Sequence, residues 1–194
     1  MTRSVLAICL DFGDTLVDQS TEVKDETRTT LRGELIPGAE KTTHELKRRG
    51  YKLAIVSNGP VGSIYNVLSH HSLYDSFDAF AISEGLGVEK PDPRIFIHAL
   101  DELEIAKENY DRTVMVGDNL RCDVKGANNV GMISVWIDWA RRYPQAPADD
   151  SEVPQHTIRA PLDLLPLIES LEQPSTSTLV GSTPAPASFS PRSG

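Results

Sequence analysis

Residues 4–18, SVLAICLDFGDTLVD, decide the fold. Val5–Leu10 is an unbroken apolar run, and Asp11 ends it abruptly. Such a run, lacking polar alternation, reads as a strand covered on both faces. Four more runs have the same character: Lys52–Val56, Ala79–Ile82, Thr113–Val116 and Ile133–Ile137. Helical patterns separate them. Ala39–Arg49 ends at Gly50, a natural left-handed cap. Val61–Ser69 follows, then a helix capped by Asp92 with Pro93 in its first turn, running towards Ile105. Asp123–Asn129 and Pro161–Leu171 complete the set. Strand and helix alternate, so the expected class is α/β: a parallel sheet with helices on both faces.

The chain has 194 residues, which suits one domain with a tail. The folded part is expected over residues 1–172. The last stretch, 173–194, reads QPSTSTLVGSTPAPASFSPRSG and is expected to be disordered, because it has too little apolar surface to offset its ordering entropy. A formal charge of −9 argues against nucleic acid, which demands a basic face, and against an anionic membrane surface. Cys9 and Cys122 are the only cysteines and make no disulfide framework, so a reducing, cytoplasmic setting is expected. Val5–Leu10 is too short for a signal-peptide core or a membrane span.

In an open parallel sheet, ligands sit beyond the carboxyl ends of the strands. Asp11-Phe12-Gly13-Asp14 follows the first run. Ser57-Asn58-Gly59 follows the second, and Glu89-Lys90-Pro91 lies in the loop after the third. Gly117-Asp118-Asn119 follows the fourth, with Asp123 shortly beyond. Carboxylates, a hydroxyl and a lysine therefore converge on one edge. Asp11 and Asp118 can share a hard cation such as Mg²⁺, which takes oxygen ligands and keeps several waters. Lys90 suits a phosphoryl oxygen, as do Ser57 and backbone N–H groups at a helix start. An aspartate screened by a metal can attack phosphorus.

LDFGDTLV, IVSNG, GVEKPDPRIF and VGDNLRCDVKGA resemble, in order and spacing, the four motifs of the haloacid dehalogenase-like (HAD) hydrolases. The resemblance covers roughly residues 4–171. It implies a Rossmann-like three-layer α/β/α fold and a Mg²⁺-dependent phosphohydrolase working through an aspartyl-phosphate. By the same resemblance Asp11 is the nucleophile and a metal ligand. Ser57, with Asn58 beside it, binds phosphate. Lys90 stabilises charge, and Asp118 and the Gly13 carbonyl hold the metal. Asp123 orients metal-bound water or Lys90. Carbon–halogen cleavage, the other chemistry of the family, has no need for the metal acid at Asp118.

One position departs from that pattern. Phosphatases of the family carry a second aspartate two residues after the nucleophile, where it protonates the leaving oxygen. Here that residue is Gly13, and Asp14 stands next to it. A general acid typically contributes ~10²–10⁴ in rate. Loss of that group is expected to weaken activity on alkyl phosphates unless Asp14 substitutes. The alternative reading is a catalytically weak or silent relative that binds a phosphorylated small molecule or phosphoprotein.

The stretch from Asp11 to Ser57 exceeds a strand–helix–strand unit of about 30 residues by only roughly 15–20. A small cap insertion is therefore expected at about residues 17–36, polar, with at most one helix, leaving the site open. Cys9 is expected in the core and Cys122 to be incidental. His70 and His71, adjacent on one helix, face apart and read as surface residues.

Overall fold

The computed structural model describes residues 4–173. In chain order the elements are β1 (Ala7–Leu10), β2 (Val23–Lys24), β3 (Thr30–Arg32), α1 (Ala39–Arg48), β4 (Lys52–Ser57), α2 (Val61–His70), β5 (Ala79–Ile82) and α3 (Ser83–Leu86). They continue with α4 (Pro93–Glu102), β6 (Thr113–Gly117), α5 (Lys125–Val130), β7 (Ile133–Ile137), β8 (His156–Ile158) and α6 (Leu164–Glu172). Six strands form one sheet in the order β5-β4-β1-β6-β7-β8. Every neighbouring pair in it is parallel.

The period-2 pleat sorts the core into two layers. Ala7 and Cys9 of β1, with Ala54 and Val56 of β4, pack with Ile95, Phe96 and Ala99 of α4. Ile8 and Leu10, with Leu53 and Ile55, pack with residues of α1, α2 and α6. Small side chains on one face admit the bulk of Phe96; branched ones fill the other. This is the three-layer α/β/α arrangement. β1 is central, with Leu10 opposite Ile55 on one side and Val116 on the other. The chain leaves β1 towards β4 and later returns to β6 across it. The resulting crevice opens where β1 ends, at Asp11.

Two features depart from the sequence expectations, the strand β8 and the π-turn ahead of α5, while the segment expected to hold at most one helix takes a form that the sequence leaves open. Residues 18–36 contain no α-helix; they form a short turn at Gln19–Thr21 and then an antiparallel β2–β3 hairpin. The Asp25 carboxylate fixes its bend by accepting from the backbone N–H groups of Thr27 and Thr29. The hairpin is docked on α2: Thr30 N donates to Ser63 Oγ at 2.8 Å, and Asn66 Nδ2 donates to the Thr30 carbonyl at 3.1 Å. β8 was not expected. It lies on the outer edge beyond β7 and buries only Ile158, so its sequence carries almost no apolar signal. The helix expected from Asp123 begins earlier, with a π-turn over Leu120–Val124. The expectation for the tail at 174–194 lies outside the described residues. Among the described residues no helix is long and apolar enough to cross a membrane.

Candidate active site

The residues expected at the strand ends do meet. Asp11 follows β1, Ser57 ends β4, Gly117 ends β6 and Asp118 follows it. All four, with Lys90 and Asp123, are buried or nearly so and line one pocket of about 290 Å³ except for Gly117, which lies behind Asp123. A Cβ on Gly117 would overlap the Asp123 side chain. Its absence allows that carboxylate to lie against the strand end. Asn119 N then donates to Asp123 Oδ2 at 3.0 Å, within the π-turn.

Lys90 is the hub. A lysine ammonium has three donors, and here all three are used. Nζ donates to Asp11 Oδ1 at 2.6 Å, Asp123 Oδ1 at 2.6 Å and the Val56 carbonyl at 2.8 Å. Burial opposes its charge, but the Asp11 and Asp123 carboxylates outweigh it and hold the ammonium above its ordinary range. Asn58 grips the same residue by its backbone. Its Oδ1 accepts from Lys90 N at 2.8 Å, and its Nδ2 donates to the Lys90 carbonyl at 3.2 Å. Asn58 therefore lines the pocket while its amide positions Lys90.

Asp118 is different. Among the described residues its carboxylate has no hydrogen bond and no ion pair, although its backbone carbonyl accepts from Trp136 Nε1 at 2.9 Å. Burial first, and then the charges of Asp11 and Asp123, push its carboxyl up to about 9. Burial also raises Asp123, to about 6, against the pull of Lys90. Ligand oxygens of Asp11, Asp118 and Asp123 lie within 4.8 Å of one another. Three buried carboxylates offset by a single ammonium leave surplus negative charge, and one of them lacks a partner. This donor set fits a hard divalent cation.

Asp14 goes elsewhere. It is fully buried, in a left-handed conformation with φ 50°, and does not line the pocket. Its Oδ1 accepts from Gln19 N at 3.0 Å, and Oδ2 accepts from Arg142 Nε. Gly13 does line the pocket. Cys122 lies there too, its thiol pushed up to about 11 by burial and by Asp123, so it is poorly suited to act as a nucleophile. Cys9 packs in the core. His71 is tied to the end of the hairpin, with Nε2 donating to the Gly33 carbonyl at 2.8 Å.

Sequence reasoning missed the pocket wall. Gln19, Glu22, Lys24, Arg28 and Thr30 come from the hairpin region, and Tyr143 comes from the loop after β7. The signal that could have found the hairpin is VKDETRTTLR, two β-capable pairs around an Asp-x-Thr turn. No local signal marks Tyr143.

The chain belongs to the haloacid dehalogenase-like hydrolases, matching that family over residues 7–131. It is 35% identical to a glyceraldehyde 3-phosphate phosphatase of Methanopyrus kandleri over 135 residues, 70% of this chain and 57% of that protein. It is 38% identical to a phosphoserine phosphatase of Thermus thermophilus over 120 residues, 62% of this chain and 47% of that protein. The chain thus spans about half the length of the curated relatives it matches. Among solved structures, a HAD phosphatase of Thermococcus onnurineus superposes with a TM-score of 0.60 at 31% identity, over 70% of this chain and 58% of that one.

Proposed function

We propose that the chain is a Mg²⁺-dependent phosphohydrolase that works through an aspartyl-phosphate on Asp11. The observation that carries this reading is the Lys90 ammonium shared between Asp11 and Asp123, beside a buried Asp118 that has no partner. Lys90 holds Asp11 in place through the Nζ–Oδ1 hydrogen bond. One Asp11 oxygen forms a bond to phosphorus as the bond to the leaving oxygen breaks. Ser57 and nearby backbone N–H groups hold the phosphoryl oxygens while charge develops. Water then attacks the phosphoryl group, returning Asp11 as carboxylate and releasing phosphate.

Asp11, Asp118 and the Gly13 carbonyl are the groups that would hold Mg²⁺, with Asp123 supporting them. When bound, the ion supplies positive charge against the phosphoryl oxygens. The names of the relatives support a phosphorylated small metabolite as substrate, as does the size of the pocket. The two free cysteines suit a cytoplasmic setting.

The test is phosphate release from a panel of phosphomonoesters and one phosphopeptide, with and without Mg²⁺. The parent, Asp11→Asn and Asp118→Ala are compared. Mg²⁺-dependent turnover is expected in the parent alone. Turnover of the phosphopeptide only would move the substrate to phosphoproteins. Gly13 favours a second reading, a binding protein with little turnover; tight binding of phosphate esters without release would establish it.

A further inference from the structure

Gly13 offers the pocket no side chain, yet the space beside it is filled. A Cβ built on Gly13 would overlap the Gln19 amide nitrogen and lie 2.7 Å from its Cδ and 2.9 Å from its Cγ. The Gln19 side chain therefore occupies the volume that residue 13 leaves open, and it lines the pocket with Asp11, Ser57 and Lys90. Among the described residues its amide makes no hydrogen bond, so its donors and acceptor face the pocket unspent.

Buried Asp14 fixes this placement. Asp14 turns back on a left-handed backbone and receives Gln19 N on one oxygen and Arg142 Nε on the other. Asp18 secures the following turn, its carboxylate accepting from Ser20 N at 2.9 Å. The acid next to Gly13 is thus spent on anchoring the backbone that carries Gln19.

We infer that Gln19, held by the Arg142–Asp14 pair, is the substrate-facing group beside the nucleophile, and that its carboxamide confines the site to acyl, enol and aryl phosphates. This rests on the reading of Asp11 as nucleophile. A carboxamide donates and accepts hydrogen bonds but transfers no proton near neutrality. Outside the carboxylates assigned to the metal, Asp11, Asp118 and Asp123, the other candidates for proton transfer are engaged or weak. Lys90 spends its three donors on Asp11, Asp123 and Val56. Glu22 is held by Lys24 and Thr30. Cys122 and Tyr143 offer a thiol and a phenol, which are ordinarily weak acids near neutrality. When the Asp11–phosphorus bond forms, the leaving oxygen takes the electron pair of its bond to phosphorus. It departs as an anion and collects a proton from bulk water. That route is fast for a phenolate, enolate or carboxylate and slow for an alkoxide. Gln19 steers the departing oxygen by hydrogen bonding and leaves its basicity unaddressed.

The experiment measures kcat/KM with Mg²⁺ on substituted phenyl phosphates and on alkyl phosphates. The parent, Gln19→Glu, Gln19→Ala, Tyr143→Phe and Asp11→Asn are compared, each checked for an unchanged unfolding temperature. In the parent, aryl phosphates should exceed alkyl phosphates by about 10³-fold or more, within the range a missing general acid accounts for. Gln19→Glu should narrow that ratio at least about tenfold by speeding alkyl phosphates. Its kcat should also gain an alkaline decline as the introduced carboxyl ionises. Gln19→Ala should lower both rates and keep the ratio.

Similar aryl and alkyl rates in the parent, abolished by Asp11→Asn, would overturn the Gln19 assignment and leave the phosphatase reading standing. So would a ratio unmoved by Gln19→Glu, or a selective loss of alkyl turnover in Tyr143→Phe. Absence of any turnover above Asp11→Asn would overturn the nucleophile reading and this inference with it.

Discussion

The acids and lysine at the strand ends are buried and answer one another's charge, whereas the wall built by residues 18–36 is largely exposed, shaped by short local turns and tied to α2 by a few hydrogen bonds. Lys90 is 3% exposed at its side chain and bonds to three acceptors that lie on, or just beyond, three separate strands. Val23 and Leu31 of the hairpin stand in solvent, and its bend is set by Asp25 alone. One side of the pocket is therefore part of the core and must change together with it. The other side is an attachment whose residues can change without unfolding the sheet. On the proposed reading, chemistry falls to the first region and selection of the leaving group to the second.

The largest expected effect tests the first region. Lys90→Met leaves Asp11 and Asp123 without their counter-charge. It should cost about 3–5 kcal/mol in urea unfolding and abolish turnover. A loss below about 1 kcal/mol would show that the network behaves like an exposed ion pair.

Next is Asp118. Its folded acidity is weakened to about 9 against an ordinary value near 4, so the folded state keeps a proton that the unfolded chain releases between those values. Stability from this group is complete at low pH and disappears as pH rises through about 9. In chelator, the parent should therefore lose unfolding temperature on the alkaline side. Asp118→Asn should flatten that slope and gain about 1–3 kcal/mol at pH 9, while losing any stabilisation by Mg²⁺. A parallel decline in both proteins would refer the slope to another group.

Asp14→Asn tests the join between the regions. It should cost roughly 1–2 kcal/mol through the weakened links to Arg142 and Gln19, with no selective loss on alkyl phosphates. A selective loss would make Asp14 a proton donor after all. Arg28→Ala has the smallest expected effect on stability, within about 0.5 kcal/mol, because Arg28 makes no ion pair among the described residues and lines the pocket from its exposed side. Its effect should fall on KM for substrates carrying a second anionic group; a change confined to kcat would place Arg28 nearer the reacting atoms.

The contrast also explains what could be read in advance. Five sheet strands and their terminal acids are legible because burial on both faces imposes long apolar runs, and each run ends where a charge must stay wet or paired. β8 is invisible for the opposite reason: a three-residue edge strand buries little, and HTI resembles a loop. The hairpin has two- and three-residue strands, below the length at which alternation can be counted. Gln19 escapes a reading of the sequence because its position depends on the chain doubling back onto Gly13, a contact supported by buried Asp14 and the exposed Arg142, distant in sequence. Gly13 was visible as a departure; what occupies its place was not.

The docking of the hairpin has a consequence for timing. Ser63, Asn66 and His71 tie it to α2 and the turn after it at Thr30 and Gly33. Among the described residues the wall is thus tied at three points to its neighbour. Enzymes gated by lids often spend their cycle on opening. Here, substrate exchange should be fast and the bond-breaking step slow, so kcat on alkyl phosphates should be indifferent to added viscogen.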